Sequence, residues 1–223
     1  SSARLLAIKE TKHEVILFTD DDCVVPLNWV VMMYQKIMKY GVVTGNLGAL
    51  QVENIYSLID AYIDQLRIRS VDECGNVKYL SFPNFGIQRK YLPEEPFLAN
   101  PLNTTEDIDL ACRLRLKGIQ IHFNESIIVW TKYPTTLISL LGRKSKHAQG
   151  VAFLRSRFSF QNCNRLGLAE TPLQMLFRWG RLSLRSPLIP IQKLYMFMAN
   201  AVYCVALAYY DNKFRTSEQK IWR

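Results

Sequence analysis

The chain has 223 residues, 49% of them hydrophobic and 21% charged, so it is long enough to bury a core, and its composition argues against a disordered chain. Its formal net charge of +9 favours anionic partners such as a nucleotide diphosphate or a phospholipid surface. Nucleic acid is not expected as a partner, because the basic residues are not gathered in one block interleaved with aromatic residues. Five dispersed cysteines without a C-x-x-C pair argue against a disulfide framework or a zinc cage and favour a reducing compartment.

The first predicted elements lead to a run of three aspartates. A helix-like pattern at Ala3–Ala7 precedes a strand predicted over Glu14–Thr19, whose apolar residues indicate burial on both faces. Asp20, Asp21 and Asp22 follow at the end of that strand. Such close like charges repel one another, whereas a divalent cation of the Mg²⁺ or Mn²⁺ kind prefers carboxylate oxygens. Ligands of open α/β sheets bind beyond the carboxyl ends of the strands, so this turn is a candidate ligand site, with a solvated acidic turn as the alternative.

The middle of the chain alternates between helical and extended patterns, which predicts an α/β fold. Apolar spacing and turn residues predict, in chain order, a helix over Asn28–Lys39 that ends at Gly41, a strand over Val42–Leu50, a helix over Glu53–Ser70, extended runs over Val77–Phe82 and Asn84–Gln88, and a loop with three prolines over Leu92–Asn103.

A second acidic cluster follows this loop and begins a helix. Thr104 is predicted to cap the helix, and Gly118 ends it. Glu106, Asp107 and Asp109 fall in or near the first turn, where carboxylates suit the helix dipole. Capping alone would therefore explain much of this cluster.

Two predicted strands, Ile119–Asn124 and Ser126–Trp130, are followed by a basic helix over Thr135–Arg157. Arg143 and Lys146 belong to its mixed basic face, which could meet phosphates or lipid headgroups.

The last third of the chain changes in character, and we expect a catalytic portion over residues 1–160 and a helical segment over residues 161–223. An amphipathic pattern covers Pro172–Trp179, and Leu194–Tyr210 is an almost uninterrupted apolar run of 17 residues. That run is shorter than the about 20 residues usual for a membrane span, and it contains Asn200. Two interpretations stay open: a helix embedded in or lying on a membrane, and a buried helix packed on the domain.

Taken together, these stretches resemble the inverting family 2 glycosyltransferases of the GT-A fold. The matching segments are Val15–Asp22, Asn84–Lys90, Thr105–Gly118 and Arg143–Gly150, and the likeness extends over about residues 2–157. The resemblance implies an α/β fold with a GT-A-like mixed, mainly parallel sheet flanked by helices, and a C-terminal helical hydrophobic tail. Most of the first nucleotide-binding βαβ half precedes the matched segments in that family, so we expect this chain to be N-terminally incomplete.

The same resemblance assigns roles to the two acidic clusters. Asp20 and Asp22 would hold a divalent metal, Mn²⁺ or Mg²⁺, and Asp20 and Asp21 would lie near the nucleotide of the donor. Asp107 would act as the general base that takes a proton from an acceptor hydroxyl, and Glu106 would position acceptor or base. The metal would neutralise charge on the leaving nucleoside diphosphate.

Basic residues complete the implied donor site. Arg4 would direct its guanidinium at a phosphate, with a surface arginine that has no role as the alternative, and Arg143 and Lys146 would grip the diphosphate. Where many family members carry a metal-binding histidine, this chain has Trp130 and Thr131. The implied partners are a nucleotide-sugar donor, a polysaccharide, lipid-linked or protein acceptor, and a membrane surface. The implied location is the cytoplasmic face of a membrane, with peripheral attachment or a single hydrophobic anchor.

Two other functions fit the same residues. Asp20-x-Asp22 after an apolar strand also resembles the first motif of haloacid-dehalogenase-type phosphatases, in which Asp20 would be the nucleophile and Asp22 the acid or base. The non-enzymatic alternative is a catalytically silent transferase fragment or a membrane-surface binding module, whose carboxylates only cap helices and keep the surface soluble.

Overall fold

The computed structural model describes residues 2–68, 71–72, 74–96, 104–166 and 168–221. The chain packs as two compact units: unit 1 comprises Ser1–Val52 and Ala61–Tyr133, and unit 2 comprises Glu53–Asp60 and Pro134–Arg223. The boundary between these units falls after Tyr133, while the division expected from the sequence, a catalytic portion over residues 1–160 and a helical segment over residues 161–223, stays a prediction.

Helices and strands alternate up to residue 131, and the described residues beyond it contain only helices as regular elements. The helices are α1 Ser2–Glu10, α2 Trp29–Tyr40, α3 Ile55–Ile68, α4 Glu106–Leu116, α5 Leu137–Arg157, α6 Phe160–Leu166, α7 Pro172–Arg185 and α8 Pro190–Ile221. The strands are β1 Val15–Phe18, β2 Val42–Ala49, β3 Phe85–Gln88 and β4 His122–Thr131, with short 3₁₀ helices at Phe82–Asn84 and Arg89–Tyr91.

The four strands form one sheet in the order β1-β3-β2-β4. Strand β3 pairs antiparallel with both β1 and β2, while β2 pairs parallel with β4. Three of these four strands therefore run in one direction and β3 opposes them. Two of the three strand pairings are antiparallel and one is parallel, so the expected α/β fold with a mixed sheet is confirmed.

The core of unit 1 forms where α2 packs on the sheet. Met33 and Ile37 of α2 are fully buried, as are Phe85 and Ile87 of β3. A Cβ atom on Gly86 would lie 2.3 Å from Ile37 Cδ1, so a larger residue here would force the Ile37 side chain to shift, whereas glycine lets it pack directly against the strand. Burial of these side chains fixes β3 beside β1 and so helps to position the acidic turn at the end of β1.

Two glycines end helices as predicted. Gly41 follows α2 with φ of 81° and Gly118 follows α4 with φ of 76°, a left-handed conformation that glycine adopts without steric cost. Local turn chemistry was therefore sufficient to predict where these two helices stop.

Two expectations about the middle of the chain were wrong in detail. Within the described residues, the extended run predicted over Val77–Phe82 makes a single isolated bridge, between Val77 and Val71, and Phe82–Asn84 turns into a 3₁₀ helix. The two strands predicted between Ile119 and Trp130 are one strand, β4, whose pairing with β2 shifts register between Gly45 and Asn46. The amide of Ser126 donates to the Asn124 side chain at 3.0 Å, which bends the strand without ending it.

Helices α5 to α8 make up most of unit 2. Helix α5 begins with a capping box between Thr136 and Ser139. Helix α8 is longer than the predicted apolar run, and it packs on α5 through an ion pair of 2.7 Å between Arg155 and Asp211. The predicted C-terminal helical tail is confirmed. The loop predicted over Leu92–Asn103 lies partly outside the described residues.

Candidate functional site

The acidic turn Asp20–Asp22 is held at both of its ends. It follows β1 by one residue, and the amide of Cys23 donates to the carbonyl of Asp20 at 3.2 Å. Val24 then pairs with Trp130 near the end of β4 through two backbone hydrogen bonds of 2.8 and 2.9 Å. The turn is therefore anchored between β1 and β4, at the carboxyl ends of both strands, where α/β sheets bind ligands.

Arg4 brings the two acidic clusters together. Its guanidinium forms an ion pair with Asp20, and its Nη1 atom lies 3.1 Å from Glu106 Oε2. The guanidinium also lies over the ring of Phe82, 4.7 Å from the centroid. Glu106 is buried, whereas Arg4 and Asp20 are each 31% exposed, so the contact stays open to solvent on one side. The two clusters, which are far apart in sequence, share one cation.

The sequence did not point to Phe82. Its ring packs on Phe18, the last residue of β1, at 5.5 Å and on Phe85 at 5.9 Å. This aromatic cluster supports the guanidinium of Arg4 from one side, a cation–π arrangement. The 3₁₀ helix that carries Phe82 follows a segment predicted to be extended, so no local signal indicated this contact.

The start of α4 is strained. Thr105 is the residue before the helix, in place of the predicted Thr104, and it has φ of 60° and makes no side-chain capping bond. A β-branched residue in this left-handed region costs about 1–3 kcal/mol and persists where the surrounding structure demands it. Glu106 and Asp107 occupy the first two positions of the helix. Side-chain capping by threonine therefore does not explain this cluster.

Asp107 lies in an environment that favours its protonated form. Burial raises the pKa of Asp107 above its ordinary value, while the nearby charge of Arg67 and a hydrogen bond of 2.9 Å from the amide of Ile108 oppose the shift. The negative charge of Asp64 adds to the rise. A carboxylate whose pKa is raised by desolvation is a stronger base than one in water, which suits proton abstraction.

Asp21 and Asp22 are exposed to solvent. The Asp22 carboxylate lies 3.6 Å from the Cys23 thiol, whose pKa is raised mainly by burial. Among the described residues, histidine, cysteine, aspartate and glutamate side chains form no group of three that could hold a metal ion. Mg²⁺-type cations are usually held by one or two carboxylates together with substrate phosphates and water, so the carboxylates of this turn fit such an ion.

Arg143 and Lys146 belong to unit 2, whereas the acidic turn and the start of α4 belong to unit 1. Arg143 Nη1 lies 2.7 Å from the carboxylate of Asp60, which is fully buried. Lys144 Nζ lies 2.5 Å from the other oxygen of the same carboxylate, so both cations pair with Asp60. Lys146 is exposed. Asp60 was missed by the sequence reasoning, although an acidic residue on the apolar side of a helix is a signal for a buried ion pair.

Comparisons with known proteins place the chain among sugar transferases. The family described as Glycosyl transferase family group 2 matches residues 15–210. The mannosyltransferase PcManGT from Pyrobaculum calidifontis, solved in complex with GDP-Man and Mn²⁺, is similar with a TM-score of 0.56 at 15% identity, over 94% of this chain and 65% of that one. The chain thus spans somewhat less than two thirds of the length of that mannosyltransferase.

Two structures of S. aureus TarS residues 1–349 are also similar, each with a TM-score of 0.41 at 13% identity and 71% of their chain covered. The one with UDP covers 97% of this chain and the one with UDP-GlcNAc covers 96%. No curated protein sequence matches the chain. The likeness to the mannosyltransferase supports the GT-A-like fold expected from the sequence.

Proposed function

Because the chain belongs to glycosyl transferase family group 2, we propose that it transfers a sugar from a nucleotide-sugar donor to an acceptor hydroxyl, with inversion at the anomeric carbon. The contact of Arg4 with both Asp20 and Glu106 is the observation that supports this function most strongly. Transfer needs groups that bind the donor diphosphate and a base that deprotonates the acceptor, all within reach of one sugar. Because Arg4 contacts both Asp20 and Glu106, the acidic turn and the start of α4 lie close enough together to act on one sugar.

Asp107 is the proposed general base. Its carboxylate takes the proton of the acceptor hydroxyl while the hydroxyl oxygen attacks the anomeric carbon. The new bond from carbon to acceptor oxygen forms as the bond from carbon to the diphosphate oxygen breaks, and the nucleoside diphosphate leaves on the opposite face. Attack opposite to the leaving group inverts the configuration. Glu106, buried beside Arg4, acts as a positioning residue for base or acceptor.

Asp22 and Asp20 are proposed to hold a divalent metal, Mn²⁺ or Mg²⁺. Carboxylates are the preferred ligands of such ions, and the similar mannosyltransferase was solved with Mn²⁺. When bound, the metal supplies a Lewis acid that stabilises negative charge on the leaving diphosphate. Trp130, which pairs with Val24 next to the acidic turn, offers no ligand atom for this ion. Asp22 and Asp20 are therefore proposed to act together with the oxygens of the diphosphate itself.

Cationic side chains are proposed to bind the donor. Arg4 already stabilises negative charge at Asp20, so the same guanidinium suits a phosphate oxygen at that place. Asp21, exposed on the acidic turn, is proposed to lie near the nucleotide. Arg143 and Lys146 are proposed to contact the diphosphate, although Asp60 already neutralises part of the Arg143 charge.

The donor is a nucleotide sugar, of which GDP-Man in the similar mannosyltransferase is one example. We propose a polysaccharide, lipid-linked or protein acceptor at the cytoplasmic face of a membrane, with peripheral attachment or a single hydrophobic anchor. Residues 190–214 of α8 are long and apolar enough to cross a membrane. The phosphatase alternative is set aside, because the family match covers the stretch that suggested it.

Release of nucleoside diphosphate from nucleotide sugars tests this function. The chain should release UDP or GDP in the presence of Mn²⁺, and Asp107→Asn should lower the rate about 10²–10⁴-fold, because a general base contributes on that scale. Glu125→Gln is the matched control, since Glu125 is an exposed carboxylate of β4 away from the acidic clusters in sequence. Equal rates for the Asp107 variant and the control would contradict the assignment of the base. No release from any donor would favour the catalytically silent alternative.

A further inference from the structure

Helix α7 has three faces at 3.6 residues per turn. Met175, Trp179 and Ser183 form its buried face. Leu173, Phe177 and Leu184 lie together on the opposite side and are exposed, with Leu184 at 74%. Arg178, Arg181 and Arg185 lie on a third face, about 90° around the helix from the exposed apolar one.

Helix α8 carries a second exposed apolar stripe. Its members recur at helical spacing and are Ile191, Leu194, Met198, Val205 and Tyr209. At 1.5 Å per residue this stripe is about 27 Å long. The residues of α8 that are buried, Met196, Ala199, Cys204 and Leu207, lie on the other side of the helix.

The two stripes are neighbours. A Cβ atom built on Gly180 of α7 would lie 3.7 Å from the ring of Phe197, at the border of the α8 stripe. Lys193 of α8 donates to the carbonyl of Leu184 at 2.9 Å. The exposed residues of α7 and α8 therefore form one surface, which we call the apolar face. Exposed apolar areas of this extent on one surface mark sites of membrane or protein contact.

The opposite side of α8 packs on a charged helix. Tyr203 lies 5.6 Å from the ring of His147, and Asp211 forms its ion pair with Arg155, both partners belonging to α5. Helix α5 also carries Arg143, Lys144, Lys146 and Arg157. If α8 spanned the membrane in this packing, the cations of α5 would lie in the hydrocarbon layer. Their transfer would cost about 2.5–3.5 kcal/mol for each residue at the membrane centre. The packing of unit 2 therefore argues against a span.

We propose that α7 and α8 lie in the plane of a membrane, with the apolar face inserted at the boundary between headgroups and acyl chains of an anionic lipid bilayer. Charge complementarity selects this partner over a second copy of the chain. Arg178 pairs with Glu170, but within the described part of the chain no ion pair involves Arg181 or Arg185, which flank the apolar face. Arginines beside an inserted apolar face meet lipid phosphates. This inference rests on the membrane location proposed above and is independent of sugar transfer.

Flotation of the full chain with sealed vesicles tests the partner. The chain should float with phosphatidylcholine vesicles that contain phosphatidylglycerol, and less with phosphatidylcholine alone. Val205→Glu should lower vesicle binding about tenfold, because it replaces a valine side chain that the bilayer would bury with a charged one. Val30→Glu is the matched control, since Val30 is an equally bulky exposed residue on a helix of unit 1, 59% exposed against 71% for Val205.

A charge series tests the headgroups. Arg181→Gln and Arg185→Gln should each weaken binding to anionic vesicles about fivefold, whereas Lys117→Gln, at an exposed position after α4, should leave it unchanged. Failure of the unaltered chain to float, or equal loss from Val205→Glu and Val30→Glu, would overturn the proposal. A dimer in sedimentation analysis that Val205→Glu dissociates, without vesicle binding, would assign the face to a second copy instead.

Spin labels distinguish an in-plane helix from a spanning one. Nitroxides are attached at Ile191→Cys, Met198→Cys and Val205→Cys in a chain whose Cys23 and Cys74 are replaced by serine. The in-plane arrangement predicts the same immersion depth at all three sites. A spanning helix would separate Ile191 and Met198 by about 10 Å in depth, and that result would overturn the proposal. Nucleotide release by Val205→Glu in detergent is measured in parallel, so that a failure of docking and a failure of transfer are seen separately.

Discussion

The substitution Asn84→Asp tests the buried hydrogen bonds of the Asn84 side chain, which hold the segment that carries Phe82 at the candidate site. Asn84 is fully buried, its side-chain oxygen accepts from Trp29 Nε1 at 3.0 Å, and its Nδ2 donates to the carbonyls of Asn46 and Ile127 at 2.8 Å each. It ends the 3₁₀ helix that carries Phe82, the ring beneath Arg4. Aspartate has the same shape as asparagine but offers oxygen where two carbonyls require a donor.

The expected loss of unfolding free energy can be estimated from these contacts. An ionised carboxylate would repel both carbonyls, so the fold would hold the introduced carboxyl group protonated, which costs about 4 kcal/mol at pH 7 for a group with an ordinary pKa near 3.9. One acidic proton can serve only one of the two carbonyls, and the other is left without a donor at about 1–3 kcal/mol. The variant should therefore lose about 5–7 kcal/mol of unfolding free energy at pH 7.

The pH dependence of the stability loss distinguishes the effect of the introduced carboxyl group from a non-specific packing defect. The substituted carboxyl has a pKa in the folded chain above that in the unfolded chain. Its penalty is therefore absent below the unfolded value and grows as the pH rises toward the folded one. The loss should shrink to about 1–3 kcal/mol near pH 4.

Urea unfolding followed by tryptophan fluorescence measures both values. Asn28→Asp is the control, because Asn28 is exposed before α2 and its side chain makes no capping bond. The control should change the unfolding free energy by no more than about 0.5 kcal/mol. A loss at position 84 that matches the control, or that does not shrink on acidification, would refute the reasoning.

Two further predictions concern the carboxylates of Asp107 and Asp60. Asp107→Asn should raise the unfolding free energy at pH 7, because it removes a carboxylate whose pKa is raised by burial in the folded chain. This gain in stability should vanish below pH 3.8, the ordinary pKa of the carboxyl group. Urea unfolding at several pH values measures the difference, and a loss of stability at pH 7 would contradict the prediction. Asp60→Asn should lower stability by about 3–5 kcal/mol, because it leaves the buried ammonium of Lys144 unpaired. Thermal unfolding should show recovery when Lys144→Met is added, whereas no recovery would mean that Asp60 matters for another reason.

Local patterns in the sequence were sufficient for much of unit 1. The apolar run before Asp20 predicted β1, and the glycine at position 41 marked the end of α2. The spacing of apolar residues predicted α3, and the basic helix predicted over Thr135–Arg157 corresponds to α5. These signals lie within a few residues of the elements that they indicate, because helix and strand periodicity act over short stretches of chain.

The contacts that define the candidate site could not be predicted in this way. Arg4 meets Glu106 across 102 positions, and Asn84 meets Trp29 across 55. The 3₁₀ helix at Phe82–Asn84 forms because the Asn84 side chain satisfies backbone groups of β2 and β4, a demand of tertiary packing with no local trace. The conformation of Thr105 likewise follows from its surroundings, since threonine does not favour it.

The full length of α8 was also missed for a physical reason. The sequence reasoning followed apolar character, which ends near Tyr210, whereas the helix continues to Ile221. Asp211 does not interrupt it, because Arg155 pairs with its carboxylate at 2.7 Å. A polar residue ends an apolar run without ending a helix when a partner helix supplies its counter-charge.

Calorimetric titration of UDP and GDP in the presence of Mn²⁺ tests the proposed donor site most directly. The chain should bind one of the two nucleotides only when the metal is present. Asp22→Ala should abolish that binding, while Glu14→Ala, which removes an exposed carboxylate just before the opposite end of β1, should leave it intact. Metal-independent binding, or binding that survives in Asp22→Ala, would contradict the role given to the acidic turn.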